Sequence, residues 1–231
     1  MLLLQAQMEQ AVTTMAENPV LTEMVETANE MNLWDMAVKG GWVMVILALL
    51  SVICVYIFVE RLVVLKKVSK VDPVFMERIR DYVKTNELKS AINYCRVTNS
   101  PVSNMIEKGL DRLDRPAAEV QAALENAGNL EVAKLEKGLS VMATISSGAP
   151  MIGFLGTVLG MVKAFWEMAN AGNNIDITLL SSGIYEAMIT TVGGLVVGII
   201  AMFAYNYLVS KVGDVTNTLE AQTLSFMDLK N

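Results

Sequence analysis

Histidine is absent from the chain. That excludes histidine acid–base catalysis, a histidine metal site and a histidine proton relay. Cysteine is nearly absent. Cys54 falls inside an apolar run and Cys95 inside a charged one, so the two are expected to stay reduced and to form no disulfide framework. Aromatic residues are only 6% of the chain, and no basic arm or nucleic-acid motif is present, which excludes DNA and RNA as partners. There is no nucleophile–base pair, no phosphate loop and no metal-spaced cluster. The reading is therefore no enzyme, no cofactor and no metal. The start, MLLLQAQ, has no basic n-region, and its apolar run is too short for a signal peptide.

What the chain has is apolar sequence in long runs. It is 53% hydrophobic with a mean hydropathy of +0.43. The excess collects in three runs of about the length that crosses a bilayer, roughly 20 residues. The predicted fold class is an all-α membrane protein, with three transmembrane helices, long cytoplasmic helical extensions and a periplasmic N-terminus. The runs of residues 138–162 and 187–210 are studded with Gly, Ser and Thr, which suit helices that pack on helices.

Taken in order, residues 1–39 are an acidic, Met-bearing N-terminal segment with helical apolar spacing, read as a periplasmic amphipathic helix. Residues 40–65 form the first span. Arg61, Lys66, Lys67 and Lys70 close it, and basic residues beside a span mark the cytoplasmic side. Residues 66–137 are a charged cytoplasmic helical region with 14 basic and 11 acidic side chains between Arg61 and Lys137. Asp72-Pro73, Ser100-Pro101 and Arg115-Pro116 each signal a helix start. They predict short helices over 73–85, 87–97 and 101–113, then a long helix from about Pro116 that runs straight into the second span. That span covers 138–165, a periplasmic loop covers 166–183, the third span covers 184–210, and a cytoplasmic, helical tail covers 211–231.

In the second span, Ser146, Pro150, Gly153 and Thr157 fall within about 60° of one another at the helical period, with Gly160 close by. Pro150 leaves the Ser146 carbonyl without its helical partner, and such a group needs a neighbour at membrane depth. In the third span, Thr191, Gly194 and Gly198 make a similar stripe. Gly156-x-x-x-Gly160 and Gly194-x-x-x-Gly198 are close-approach spacings, for which simple helix packing is a sufficient reason. Lys163 and Glu167 can reach the interface as an i, i+4 pair. Glu186 opens the third span, and a carboxyl in a membrane span is a functional-site candidate by default. Thr190, one turn on, is placed to hydrogen-bond to it. One acid with no histidine is an incomplete proton path, which a partner helix with another ionisable group would complete.

Two segments carry a resemblance. GAPMIGFLGTVLGMVKAF fits A-P-x-x-G-x-x-G-T-V-x-G-M, and GIYEAMITTVGGLVVGIIAMFAYNYL fits G-I-x-E-A-x-x-T-T-x-x-G-L with a following Y-N. They resemble the ExbB/TolQ/MotA family of proton-channel motor subunits. Three spans with the large insertion after the first are similar to the ExbB and TolQ branches. Met151-Ile152 departs from the commoner paired leucines, and Gly198-Ile199-Ile200 from an alanine-and-proline segment. The resemblance implies a multi-pass subunit of the bacterial inner membrane, a homo-pentamer in contact with membrane lipid. It also implies an ExbD-like single-span partner with an intramembrane Asp, and a TonB-like protein. Thr157 and Thr191 are then expected to line the pore facing that Asp. Glu186, Thr190 and Ser146 join them in the proton pathway, and Pro150, Gly153, Gly156, Gly160, Gly194 and Gly198 serve helix packing. The alternatives are a TolQ-like or a gliding or secretion motor subunit, and a membrane scaffold with no ion path.

Overall fold

The fold was obtained as a computed structural model, and the structure describes residues 40–68, 74–170 and 177–230. The expected N-terminal amphipathic helix over 1–39 and the Asp72-Pro73 helix start lie outside the described residues. All regular structure among the described residues is helical. The order is α1 (Gly41–Val68), α2 (Phe75–Lys84), α3 (Leu88–Thr98), α4 (Pro101–Leu110), α5 (Ala117–Glu136), α6 (Leu139–Asn170) and α7 (Ile177–Lys230).

Three of these helices are long and apolar enough to cross a membrane: α1, α6 and the stretch of α7 from Leu180. Their most apolar windows have mean hydropathies of 2.9, 1.5 and 2.2. Large apolar side chains such as Val52, Val55, Phe154, Val162, Val196 and Phe203 stand exposed along them. Exposed apolar surface on this scale belongs in lipid, where a helix satisfies its own backbone polar groups.

The chain divides into two compact units, and α1, α6 and α7 run through both. The first comprises the described parts of residues 1–47 and 152–194. Val43, Leu47, Ala164, Ala187, Ile189 and Thr190 are buried in it. Its helices touch backbone to backbone. A Cβ built on Gly153 would lie 2.7 Å from the Thr190 carbonyl oxygen and 3.0 Å from the Gly194 Cα. One on Gly160 would lie 2.9 Å from the Ala187 Cβ, and one on Gly183 2.7 Å from the Ala164 Cβ.

The second unit comprises residues 48–151 and 195–231, as far as they are described. Here α2 to α5 pack in chain order, each on the next. Local chemistry sets their ends. Ser100 caps α4 through a reciprocal capping box with Ser103, and Asn99 ends α3 in the left-handed region at φ 45°. Leu208, Val212, Val215, Leu219 and Phe226 bury one face of α7 at helical spacing. The Phe226 ring lies 3.0 Å from where a Gly109 Cβ would stand, and the Lys230 ammonium donates to the Leu113 carbonyl at 3.0 Å.

Several boundaries differ from the sequence expectation. The third span and the tail form one unbroken helix of 54 residues. The loop expected over 166–183 is shorter, because α6 continues to Asn170 and α7 begins at Ile177. The short helices expected over 73–85 and 87–97 are α2 and α3, and that over 101–113 stops at Leu110. The long helix from Pro116 does not run into the second span. It ends at Glu136, and α6 starts afresh at Leu139 after Gly138, whose φ is +87°. Cys54 and Cys95 are both free and buried.

Candidate functional site

The first unit contains a cluster of three threonine hydroxyls and two backbone carbonyls. A threonine in a helix can turn its Oγ1 to a carbonyl one turn back, and Thr157 and Thr190 both do so. The Thr190 hydroxyl donates to the Ala187 carbonyl at 2.7 Å and is directed at the Gly153 carbonyl of α6 at 3.2 Å. The Thr157 hydroxyl reaches across to the Ala187 carbonyl of α7 at 3.0 Å, with the Gly153 carbonyl at 3.4 Å. The Thr191 hydroxyl lies 3.2 Å from the Gly153 carbonyl and makes a short contact with the Thr157 hydroxyl. The two helices are thus cross-linked by side chain to backbone bonds in both directions.

This arrangement depends on the glycines. A Cβ on Gly156 would fall 2.5 Å from the Thr190 Oγ1, so a side chain there would occupy the place of the hydroxyl. Gly153 must lack a side chain for its carbonyl to meet α7 at all. Thr190 is buried, whereas Thr157 and Thr191 are half-buried.

The hydrogen-bonding inventory says what such a cluster can do. Each hydroxyl has one proton to donate and two lone pairs that accept. Two of the protons are used on carbonyls and one between Thr157 and Thr191. What remains available is lone-pair capacity at the two half-buried oxygens. That suits a neutral donor, such as a protonated carboxyl, better than a carboxylate, which can only accept.

Glu186 is half-buried and stands beside the start of α1. Its Oε1 lies 2.8 Å from where a Gly41 Cβ would be, and Gly41 has a φ of +64°. Only glycine adopts that backbone at no steric cost, and only glycine leaves room for the carboxylate. The expected hydrogen bond from Thr190 to Glu186 is not made, because the hydroxyl goes to the carbonyls. Gly193 receives α1 in the same way, the Met44 Sδ lying 2.9 Å from its would-be Cβ. Lys163 is exposed, Glu167 is half-buried, and they form no ion pair with each other.

The remaining expected residues lie in the second unit. The Ser146 hydroxyl donates to the Ala143 carbonyl of its own helix at 2.8 Å. A Cβ on Gly198 would lie 2.5 Å from the Pro150 Cγ and 3.1 Å from the Ser146 carbonyl oxygen. Gly198, lacking a side chain, leaves room beside Pro150 and the Ser146 carbonyl, the group whose helical partner Pro150 removes. Among the described residues, no group of three His, Cys, Asp or Glu side chains is placed to hold a metal.

Sequence reasoning selected the three threonines and the glycines through their spacing. It missed the Gly153 and Ala187 carbonyls as their acceptors, and Gly41 as the neighbour of Glu186. No side chain announces a carbonyl acceptor. The glycine pair Gly40-Gly41 ahead of an apolar run was the available signal for the second.

Comparison with known proteins adds independent findings. The profile of the MotA/TolQ/ExbB proton channel family matches residues 97–221. An ExbB biopolymer transport homolog of Methanothermobacter thermautotrophicus is 32% identical over 190 residues, which cover 80% of the chain and 66% of that relative's length. The Tol-Pal system protein TolQ of Haemophilus influenzae is 30% identical over 214 residues, 86% of the chain and 92% of TolQ. The biopolymer transport protein ExbB of Neisseria meningitidis is 26% identical over 193 residues, 78% of the chain and 86% of its own length.

Proposed function

The chain belongs to the MotA/TolQ/ExbB proton channel family, and from that premise we propose that it is the channel-forming subunit of an inner-membrane motor. In this reading it admits protons and couples their entry to TonB-dependent transport at the outer membrane. The observation that carries the proposal is the hydroxyl cluster of Thr157, Thr190 and Thr191. It sits within the two segments that carry the family pattern, and its half-buried oxygens have lone pairs free for a proton-bearing acid.

The acid comes from a partner. Five copies of the chain surround a single-span, ExbD-like partner with an aspartate at membrane depth. That aspartate picks up a proton from the outer side and in neutral form donates to Thr157 or Thr191. Moving a neutral carboxyl past apolar helix faces costs far less than moving a carboxylate. The driving force is adequate, since one charge crossing 100 mV is worth about 2.3 kcal/mol. In this reading Glu186, one turn before Thr190, serves the same proton pathway, and so does Ser146 of α6. Lys66 and Lys67 at the end of α1 support a cytoplasmic location for that end, and so an outside N-terminus.

A second reading is favoured by a specific observation, the match to TolQ over 92% of that protein's length. In it the same channel drives envelope maintenance with a TolA-like protein in the place of TonB. A gliding or secretion motor would use the channel in the same way. A scaffold with no ion path is the reading of another class. Reconstitution of the chain with its single-span partner in liposomes separates these. Proton uptake under an imposed potential, present with the partner and absent without it, is the expected result. A well-assembled complex that passes no protons would sink the channel reading and leave the scaffold. Co-purification with a TonB-like or a TolA-like protein then decides between the two motors.

A further inference from the structure

A charged side chain of α1 occupies the break between α5 and α6. Arg61 is 9% exposed, and its Nη1 donates to the Lys134 carbonyl at 3.1 Å. In an uninterrupted α-helix the carbonyl of residue 134 would accept from the N–H of residue 138. Here that N–H is turned away, because Lys137 leaves the helix with ψ 126° and Gly138 follows with φ +87°. The Arg61 guanidinium thus supplies the hydrogen bond that the broken helix has lost. It also places a positive charge at the C-terminal end of α5, where the last carbonyls carry negative partial charge.

The neighbourhood is built around this contact. Ile57 and Arg61, one turn apart on α1, flank Gly138. A Cβ there would lie 3.3 Å from the Ile57 Cγ2 and 3.9 Å from the Arg61 Nε. The Gly138 carbonyl starts α6 by accepting from the Met142 N–H at 3.3 Å. Glu60 is the counter-ion. One of its carboxylate oxygens lies 3.0 Å from the Arg61 Nε, but off the N–H direction, so that Nε has no hydrogen-bond acceptor and the contact is ionic.

We propose that Arg61 is the positioning residue that holds the α5–α6 junction broken, and that without it the two helices join into one. The sequence itself supports the joined state. Residues 116–165 contain no strong breaker at the junction other than Gly138, and a single glycine is tolerated inside a helix. Once Arg61 is removed, the Lys134 carbonyl loses the donor of this part-buried bond, and the donor nearest in the chain is the Gly138 N–H, its ordinary helical partner. The break therefore has two backbone arrangements, and a side chain on another helix selects one. This goes beyond the proton-channel reading, because α6 is the helix that carries Thr157, and Arg61 fixes where that helix begins.

Amide hydrogen exchange of the full chain with its partner, in lipid nanodiscs, tests this across residues 135–142. Arg61→Met keeps most of the apolar stem and removes the donors. It should slow exchange at this segment roughly tenfold, as expected for one net hydrogen bond gained by the Gly138 amide. Arg61→Lys should restore part of the wild-type exchange. Gly138→Ala tests the same point with Arg61 intact, because alanine disfavours φ +87° and should also slow exchange. With the rest of α6 still protected, unchanged or faster exchange at 135–142 in either Arg61→Met or Gly138→Ala would overturn the proposal. Loss of folding is distinguished by faster exchange along the whole chain, and the other variant then decides. The readout does not involve ion flow, and its failure is distinct from failure of the channel reading.

Discussion

A threonine hydroxyl in a membrane span has one proton to give, and the geometry of Thr157, Thr190 and Thr191 uses all three on one another and on two carbonyls. Glycine makes those carbonyls reachable, and this gives a residue-scale prediction. Gly153→Ala would place a methyl 2.7 Å from the Thr190 carbonyl oxygen, on backbone that cannot swing aside. The complex should lose about 1–3 kcal/mol of stability by overpacking, read as a lowered thermal midpoint. Gly148→Ala is the control, since nothing lies within 4 Å of that Cβ, and it should leave the midpoint unchanged or slightly raised. The threonine spacing was legible in the sequence. The acceptors were not, because a backbone carbonyl has no letter of its own, and the pairing of Thr190 expected with Glu186 went to Ala187 and Gly153 for that reason. Cys95 gives a second test at this scale. It is fully buried, and burial first, then the charges of Glu107 and Asp111, push its thiol up to about 12. A group with a raised folded pKa contributes stability that is complete below its unfolded value, about 8.5, and is lost as pH rises toward the folded one. A thiol reagent at pH 8 should therefore leave Cys95 unmodified in the native protein and label it in denaturant. Labelling of the native chain would contradict this burial.

At the scale of elements, caps and prolines were readable and junctions were not. Ser100-Pro101 predicted the start of α4, and the structure gives Ser100 both halves of a capping box. Ser100→Ala should cost about 1 kcal/mol, measured by thermal unfolding. The α5–α6 break was missed because its determinant is remote in sequence. Gly138 alone did not outweigh the helical pattern around it, and Arg61, 73 residues away, completes the break from α1. The length of α7 was missed for a related reason. The sequence changes character after Ser210, from apolar to polar, and a change of solvent reads as a boundary. The backbone continues through it, because Val212, Val215, Leu219 and Phe226 keep the same face buried.

At the scale of the whole molecule, three apolar helices and a charged helical region are what the composition announced. The two helices that carry the family pattern, α6 and α7, also carry the hydroxyl cluster. The other small residues hold backbones together, as Gly198 does against Pro150. Proton uptake into liposomes containing the chain and its single-span partner, compared between wild type, Thr157→Val and Thr191→Val, tests the role of the cluster most directly. Valine keeps the shape and removes the hydroxyl, so both variants should assemble with the partner at a cost of about 1 kcal/mol and pass no protons under the imposed potential. Wild-type uptake in either assembled variant would contradict the placement of the proton at these hydroxyls.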